Sequence, residues 1–169
     1  MKEETIMATK KWRSTMAQLI SVLILVLLIA TPTLGQQSVV GTYKLVSLVA
    51  EVDGKVGDVM GKAPHGYLML RPTHFMYFIT SEERKPGTSV DAKVGLLDSL
   101  IAYAGTYRVE GDKLIQTIEV SWSEAEKGKT RMETLELSGN RLTLKAGPMP
   151  FPRDPSKTLT RRQVWEKIE

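Results

Sequence analysis

The sequence predicts an all-β fold: a small barrel of eight antiparallel strands, with one short helix between the third and fourth. Three observations carry this. From Gly41 to Trp165 the apolar residues recur mostly at a spacing of two, and turn signals such as Asp53-Gly54, Gly111-Asp112 and Ser138-Gly139-Asn140 break the runs. Only the stretch holding Val90, Val94, Leu97 and Ile101 has helical spacing. The residues after an apolar leader suffice for one domain and are too few for two. A barrel of this size encloses a space that can hold one small molecule, so the fold class itself narrows the function.

The leader has a basic flank, Lys10, Lys11 and Arg13, followed by Ala17 to Ala30, apolar apart from Gln18 and Ser21. As a helix that run spans roughly 21 Å, short of the ~30 Å hydrocarbon core of a bilayer. It reads as a signal peptide over residues 1–35, with Thr33-Leu34-Gly35 before the cut and Gln36 as the new N-terminus. The expected destination is outside the cytoplasm, periplasmic or secreted, with a membrane attachment only if the leader stays uncleaved. The domain, residues 36–169, is the remaining 134 of 169 residues and can bury roughly two thirds of its unfolded surface. With no cysteine in the chain, stability rests on the core, and thiol catalysis, cysteine-ligated zinc and lipid attachment through cysteine are excluded. The net charge of +4 includes the leader, and the rest mixes both signs. No concentrated basic patch of the kind that binds nucleic acid is present.

The elements follow in order. Residues 42–50 form the first strand, in which Lys44 belongs in water and Tyr43, Leu45, Ser47 and Val49 face inward. A Gly-rich loop through Gly57, Gly61 and Pro64 leads to strands at Gly66–Arg71 and His74–Thr80, the latter apolar on both phases, so its facing is open. The helix follows the polar loop Ser81–Thr88, with Ser89 or Asp91 as cap and Gly95 weakening it. Ala104–Glu110 presents Tyr107 and Val109 on one face, and Lys113–Trp122 presents Leu114, Gln116, Ile118, Val120 and Trp122. Thr130–Leu137 and Arg141–Ala146 form a hairpin whose apolar phase, extended backwards, brings Glu133 and Arg131 inward. Gly147–Pro155, with four prolines, is expected to be an extended loop outside any ladder, where Met149 and Phe151 either lid the barrel mouth or pack on its outer wall. Leu159–Ile168 is the eighth strand.

Gly-Thr-Tyr-Lys-Leu-Val-Ser at 41–47, Gly66-Tyr67-Leu68, Ala102-Tyr103-Ala104-Gly105-Thr106-Tyr107, the Gly111-Asp112 turn and Val164-Trp165-Glu166 occur in an order that resembles the lipocalin-like domain family, a relative of the lipocalins and fatty-acid-binding proteins in the calycin group. The resemblance implies an up-and-down barrel with an internal cavity for a small hydrophobic molecule. It also implies that Tyr43 takes the place of the tryptophan near the start of typical lipocalins, with Arg161 or Arg162 as its cationic partner. The chain departs from typical lipocalins in lacking that tryptophan, a disulfide and a helix after the last strand.

Other chemistry finds little support. His65 and His74 are the only histidines and neither has a carboxylate at helical spacing, so no metal is expected. The Gly54–Lys62 stretch lacks the spacing and the Ser or Thr of a phosphate loop, and there is no Gly-x-Ser-x-Gly elbow; no cofactor is called for. The informative residues are polar ones on faces that should line the barrel. The expected ligand-binding set is Tyr43, Tyr107, Gln116, Ile118, Val120, Trp122, Arg131 and Glu133. Buried polar groups need partners, so Arg131 either pairs with Glu133 or meets an anionic group of the ligand through two parallel bonds. The expected function is binding of a small, mostly apolar ligand, with or without an anionic group. The alternatives are a structural or interaction module with a filled barrel, and a cofactor-independent isomerase or cyclase using Tyr107, Gln116, Arg131 or Glu133.

Overall fold

Strand β1 (Gly41–Val52) pairs along one edge with β3 (His65–Leu70) and along the other with β9 (Asp154–Lys167), and this double pairing closes the sheet. The computed structural model describes residues 38–151 and 154–169; the expected signal peptide, residues 1–35, and its cleavage site lie outside them. Around the ring follow β4 (His74–Thr80), β5 (Leu100–Glu110), β6 (Lys113–Ser121), β7 (Thr130–Ser138) and β8 (Arg141–Phe151), each antiparallel to its neighbours. The barrel is therefore closed by eight strands. A short additional strand, β2 (Lys55–Gly57), folds back at Asp53-Gly54 and extends the edge of β1 beyond the part that β3 covers.

Helix α1 (Val90–Asp98) follows β4, not the third strand of the chain. The expected placement fails because β2 comes first, and its three residues are too few to show an alternating pattern. Ser89 caps the helix, its hydroxyl accepting from the Ala92 amide at 3.2 Å. Ile101 belongs to β5, where it pairs with Ile79. No residue of α1 is buried, so its apolar positions Val90, Val94 and Leu97 face solvent.

Two bulges reset the inward phase, which strict alternation misses. Between Leu45 and Ser47 the register against β9 slips by one residue. Tyr43 and Leu45 then point in, followed by Leu48 and Ala50, while Ser47 and Val49 turn away from the places expected for them. The second slip sets Ala104 and Gly105 opposite Val120 and Ile118. Leu114, Gln116 and Ile118 stay inside, but Val120 swings out to 65% exposure, against expectation. Gly105 sits on this bulge, and a Cβ there would run into the Thr117 carbonyl. Gly105→Ala is expected to lower stability by about 1–3 kcal/mol, the cost of overpacking, seen as a lower urea midpoint.

The proline-rich stretch also departs from its expected course. β8 continues to Phe151, with Met149 opposite Leu159 and Pro150 opposite Thr158. Its register slips between Ala146 and Met149 and again after Pro150, so Pro148 and Pro150 fall at irregularities where a missing N–H is tolerated. Met149 is half-buried. On β4 the inward set is Phe75, Tyr77 and Ile79, which settles the facing of that strand.

The interior is packed with Tyr43, Leu68, Leu70, Ile79, Leu114, Ile118, Leu142, Leu144 and Trp165. Tyr43 is fully buried and its hydroxyl donates to the Val39 carbonyl at 2.7 Å. Tyr43→Ala is expected to cost about 2–4 kcal/mol, readable in the same urea experiment. Neither arginine expected over its ring is its partner: Arg161 turns to Glu133, and Arg162 is exposed.

Candidate functional site

Inside the barrel β9 presents Arg161, Gln163 and Trp165 at a spacing of two, because alternate residues of a strand share a face. Opposite them β4 contributes Tyr77, β5 Tyr103, β6 Gln116 and β7 Arg131 and Glu133. The sequence leaves the partners of the charged residues open between an Arg131–Glu133 pair and a ligand, and within the protein each of the two pairs with a different residue. Glu133 is buried and accepts from Arg161 Nη2 at 2.7 Å. Arg131 Nη2 donates to Glu126 Oε2 at 2.6 Å and to the Tyr103 hydroxyl at 2.9 Å, and the guanidinium lies 4.4 Å from the Tyr103 ring centroid. Glu126 comes from the 3-10 turn Glu124–Glu126 in the β6–β7 connection.

An aromatic stack supports the cluster. Tyr77 lies 5.8 Å from Tyr103 in a stacked arrangement and meets Trp165 edge-on at 5.5 Å. The Trp165 Nε1–H donates to Gln163 Oε1 at 3.1 Å. Among the described residues four buried side-chain donors have no protein partner: the Tyr77 hydroxyl, Arg161 Nε and Gln163 Nε2 in this cluster, and Trp122 Nε1. Such groups cost about 1–3 kcal/mol each when nothing accepts from them.

Charge and burial fix the protonation states. Burial pushes the Tyr77 hydroxyl well above its ordinary range, only partly opposed by Arg161, so it is a neutral donor. Burial alone would depress Arg161, yet the Glu133 carboxylate more than offsets it and holds the guanidinium charged. For Glu126, burial works upward, but hydrogen bonds from Arg131 and Lys129 outweigh it and leave the carboxyl below its usual range. Burial likewise raises Tyr43, helped by the nearby Tyr107, and raises Tyr107 itself.

The cluster surrounds a small cavity of about 10 Å³ lined by Phe75, Tyr77, Tyr103, Gln116, Ile118, Arg131, Glu133 and Arg161. That is room for roughly one water. Of the eight residues expected to form the site, Gln116, Ile118, Arg131 and Glu133 line this cavity and the other four do not. Tyr43 and Tyr107 lie close to one another in the packed interior, Trp122 is half-buried against the core, and Val120 is on the outer wall. There Val120 borders a shallow apolar groove of about 360 Å³ with Met69, Met76 and Ala104. His65 and His74 are exposed, and among the described residues no group of His, Asp or Glu is arranged to hold a metal ion.

Six residues of the cluster fall outside the expected set: Tyr77, Tyr103, Glu126, Arg161, Gln163 and Trp165. Arg161 was visible in the Arg161-x-Gln163-x-Trp165 alternation, once Trp165 is placed inside. Tyr77 was hidden by a strand apolar on both phases, and Tyr103 by its position ahead of the predicted start of its strand. Glu126 carries no local signal, since a carboxylate in a polar connection ordinarily faces water.

No curated protein matches the chain at a significant level. The family model described as a lipocalin-like domain matches residues 40–168, which takes in every strand of the ring from β1 to β9. With first and last strands paired across the closure and an inward tyrosine and tryptophan near their ends, the chain belongs to the lipocalin-like domain family.

Proposed function

We propose that this is an exported barrel that binds a small, mostly apolar molecule with an anionic head in its interior. The observation that carries the reading is the convergence of two guanidinium groups, Arg131 and Arg161, with the hydroxyls of Tyr77 and Tyr103 on one cavity, where the Tyr77 hydroxyl and Arg161 Nε find no acceptor among the described residues. An incoming carboxylate supplies the acceptors those donors need, in charge-assisted bonds. Eight-stranded barrels are suited to holding one small ligand. Export rests on the composition of the leader alone. Sites for drug-sized molecules usually measure about 300–1,000 Å³, so on this reading the interior opens to admit a ligand.

A second reading, a structural or interaction module with a filled barrel, is favoured by the cavity of about 10 Å³. Titration of the mature protein with decanoate and with decanol, followed by tryptophan emission from Trp122 and Trp165, separates the two. Interior binding is expected to show decanoate affinity that falls by about 1.5–3 kcal/mol in Arg131→Met while decanol affinity holds. Val120→Asp, on the outer groove, should leave both unchanged. Loss of binding in Val120→Asp would move the site to the outer wall, and no binding of either compound would favour the filled barrel.

A further inference from the structure

The Arg131 guanidinium is already occupied by a carboxylate, and that carboxylate comes from a connection, not from the wall of the barrel. Glu126 Oε2 accepts from Arg131 at 2.6 Å while its Oε1 accepts from Lys129 Nζ at 3.0 Å. Its side chain is 23% exposed, whereas that of Glu124 on the same short turn is 87% exposed. Of two like charges on one turn, one is drawn onto the barrel and the other left in water.

Little else holds the turn down. None of its residues is buried, and its backbone bonds are local: Glu126 to Ser123, Lys127 to Glu124 and Lys129 to Glu126. Its junction with β6 is made by the Gly128 amide on the Ile118 carbonyl at 2.8 Å and the Ile118 amide on the Lys129 carbonyl at 3.0 Å. Releasing Glu126 from Arg131 would therefore free the turn with little loss of packing.

Resting on the interior-ligand reading above, we infer that Glu126 is the protein's own stand-in for a ligand carboxylate, and that acids with an apolar tail enter by displacing it, with the β6–β7 connection as the door. The exchange keeps Arg131 paired throughout, one carboxylate replacing another, and the released Glu126 passes to water beside Lys129. An uncharged molecule that opened the same door would leave Arg131 without its anion. The device thus selects acids over alcohols of equal length, because only an acid replaces the carboxylate that leaves Arg131.

The test compares wild type with Glu126→Gln, Glu126→Ala and the control Glu124→Gln, each titrated with decanoate and decanol, alongside amide hydrogen exchange at Gly128 and Lys129. Both Glu126 variants are expected to bind decanoate about ten-fold tighter than wild type, the scale of one charge-assisted bond no longer competed for, and decanol is expected to gain as well, since its entry no longer breaks that bond. Their Gly128 and Lys129 amides should exchange faster, and Glu124→Gln should match wild type throughout. Equal decanoate affinity in wild type and both Glu126 variants would overturn the displacement while leaving the interior-ligand reading standing, and so would an equal gain in Glu124→Gln, which traces the effect to net charge. Absence of decanoate binding in all four proteins would overturn both readings. Unchanged exchange at Gly128 in both Glu126 variants would overturn the door.

Discussion

Glu133→Ala is expected to destabilise the protein by about 3–5 kcal/mol, because it leaves the guanidinium of Arg161 in the barrel interior without its anion. Glu133 is 4% exposed and its partner 18%, so little solvent reaches the pair to screen the loss. The reverse substitution, Arg161→Met, should also destabilise, since it leaves the Glu133 carboxylate in the interior without its cation. The double variant Glu133→Leu with Arg161→Met removes both charges and is expected to range from neutral to about 4 kcal/mol more stable than wild type. Urea unfolding of the three variants near neutral pH decides the matter. A loss in the double variant as large as in Glu133→Ala would show that the pair stabilises the barrel through packing and not through charge.

Trp165→Ala should cost about 3–5 kcal/mol, the range for truncating a large buried aromatic side chain. The ring is fully buried, pairs in register with Leu45 on β1 and Leu142 on β8, and meets Tyr77 edge-on. Its removal weakens the seam where β9 closes the barrel and frees the carbonyl oxygen of Gln163 from its only recorded donor, Trp165 Nε1. Trp165→Phe keeps most of the apolar area but not the donor, and should fall between the wild type and alanine forms. Equal urea midpoints for wild type and Trp165→Ala would mean that the closure of β9 on β1 does not depend on this side chain.

Much of the ring was legible from residues alone. The strand readings placed β3 to β7 to within four residues, and turn pairs such as Gly111-Asp112 located the hairpins, whereas β8 runs five residues past its expected end and β9 starts five residues before its expected beginning. The phase of Gln116, Ile118 and Glu133 was read correctly, since each lies on the side of the nearest bulge from which the pattern was extended. Ser47, Val49 and Val120 lie beyond a bulge, and one inserted residue reverses the facing of all that follow it. β2 escaped notice through brevity. The charge pairs were misread for another reason: Arg131 and Glu133 are near neighbours on one strand, yet each finds its partner on a different element, Glu126 in a connection and Arg161 on the last strand.

The sequence by itself determined the all-β class, the number of ring strands, the aromatic residues at Tyr43 and Trp165 that the core is built on, and the presence of charges on inward faces. Each of these follows from short-range patterns, because strand alternation and turn chemistry depend on residues only a few positions apart. Only the tertiary structure decided where the bulges fall, which cation meets which carboxylate, and that the space between them shrinks to about 10 Å³. Those outcomes depend on pairing between residues as far apart as Tyr43 and Lys167 and on how side chains from several strands fill one interior. That is a property of the closed ring, and no window of sequence contains it.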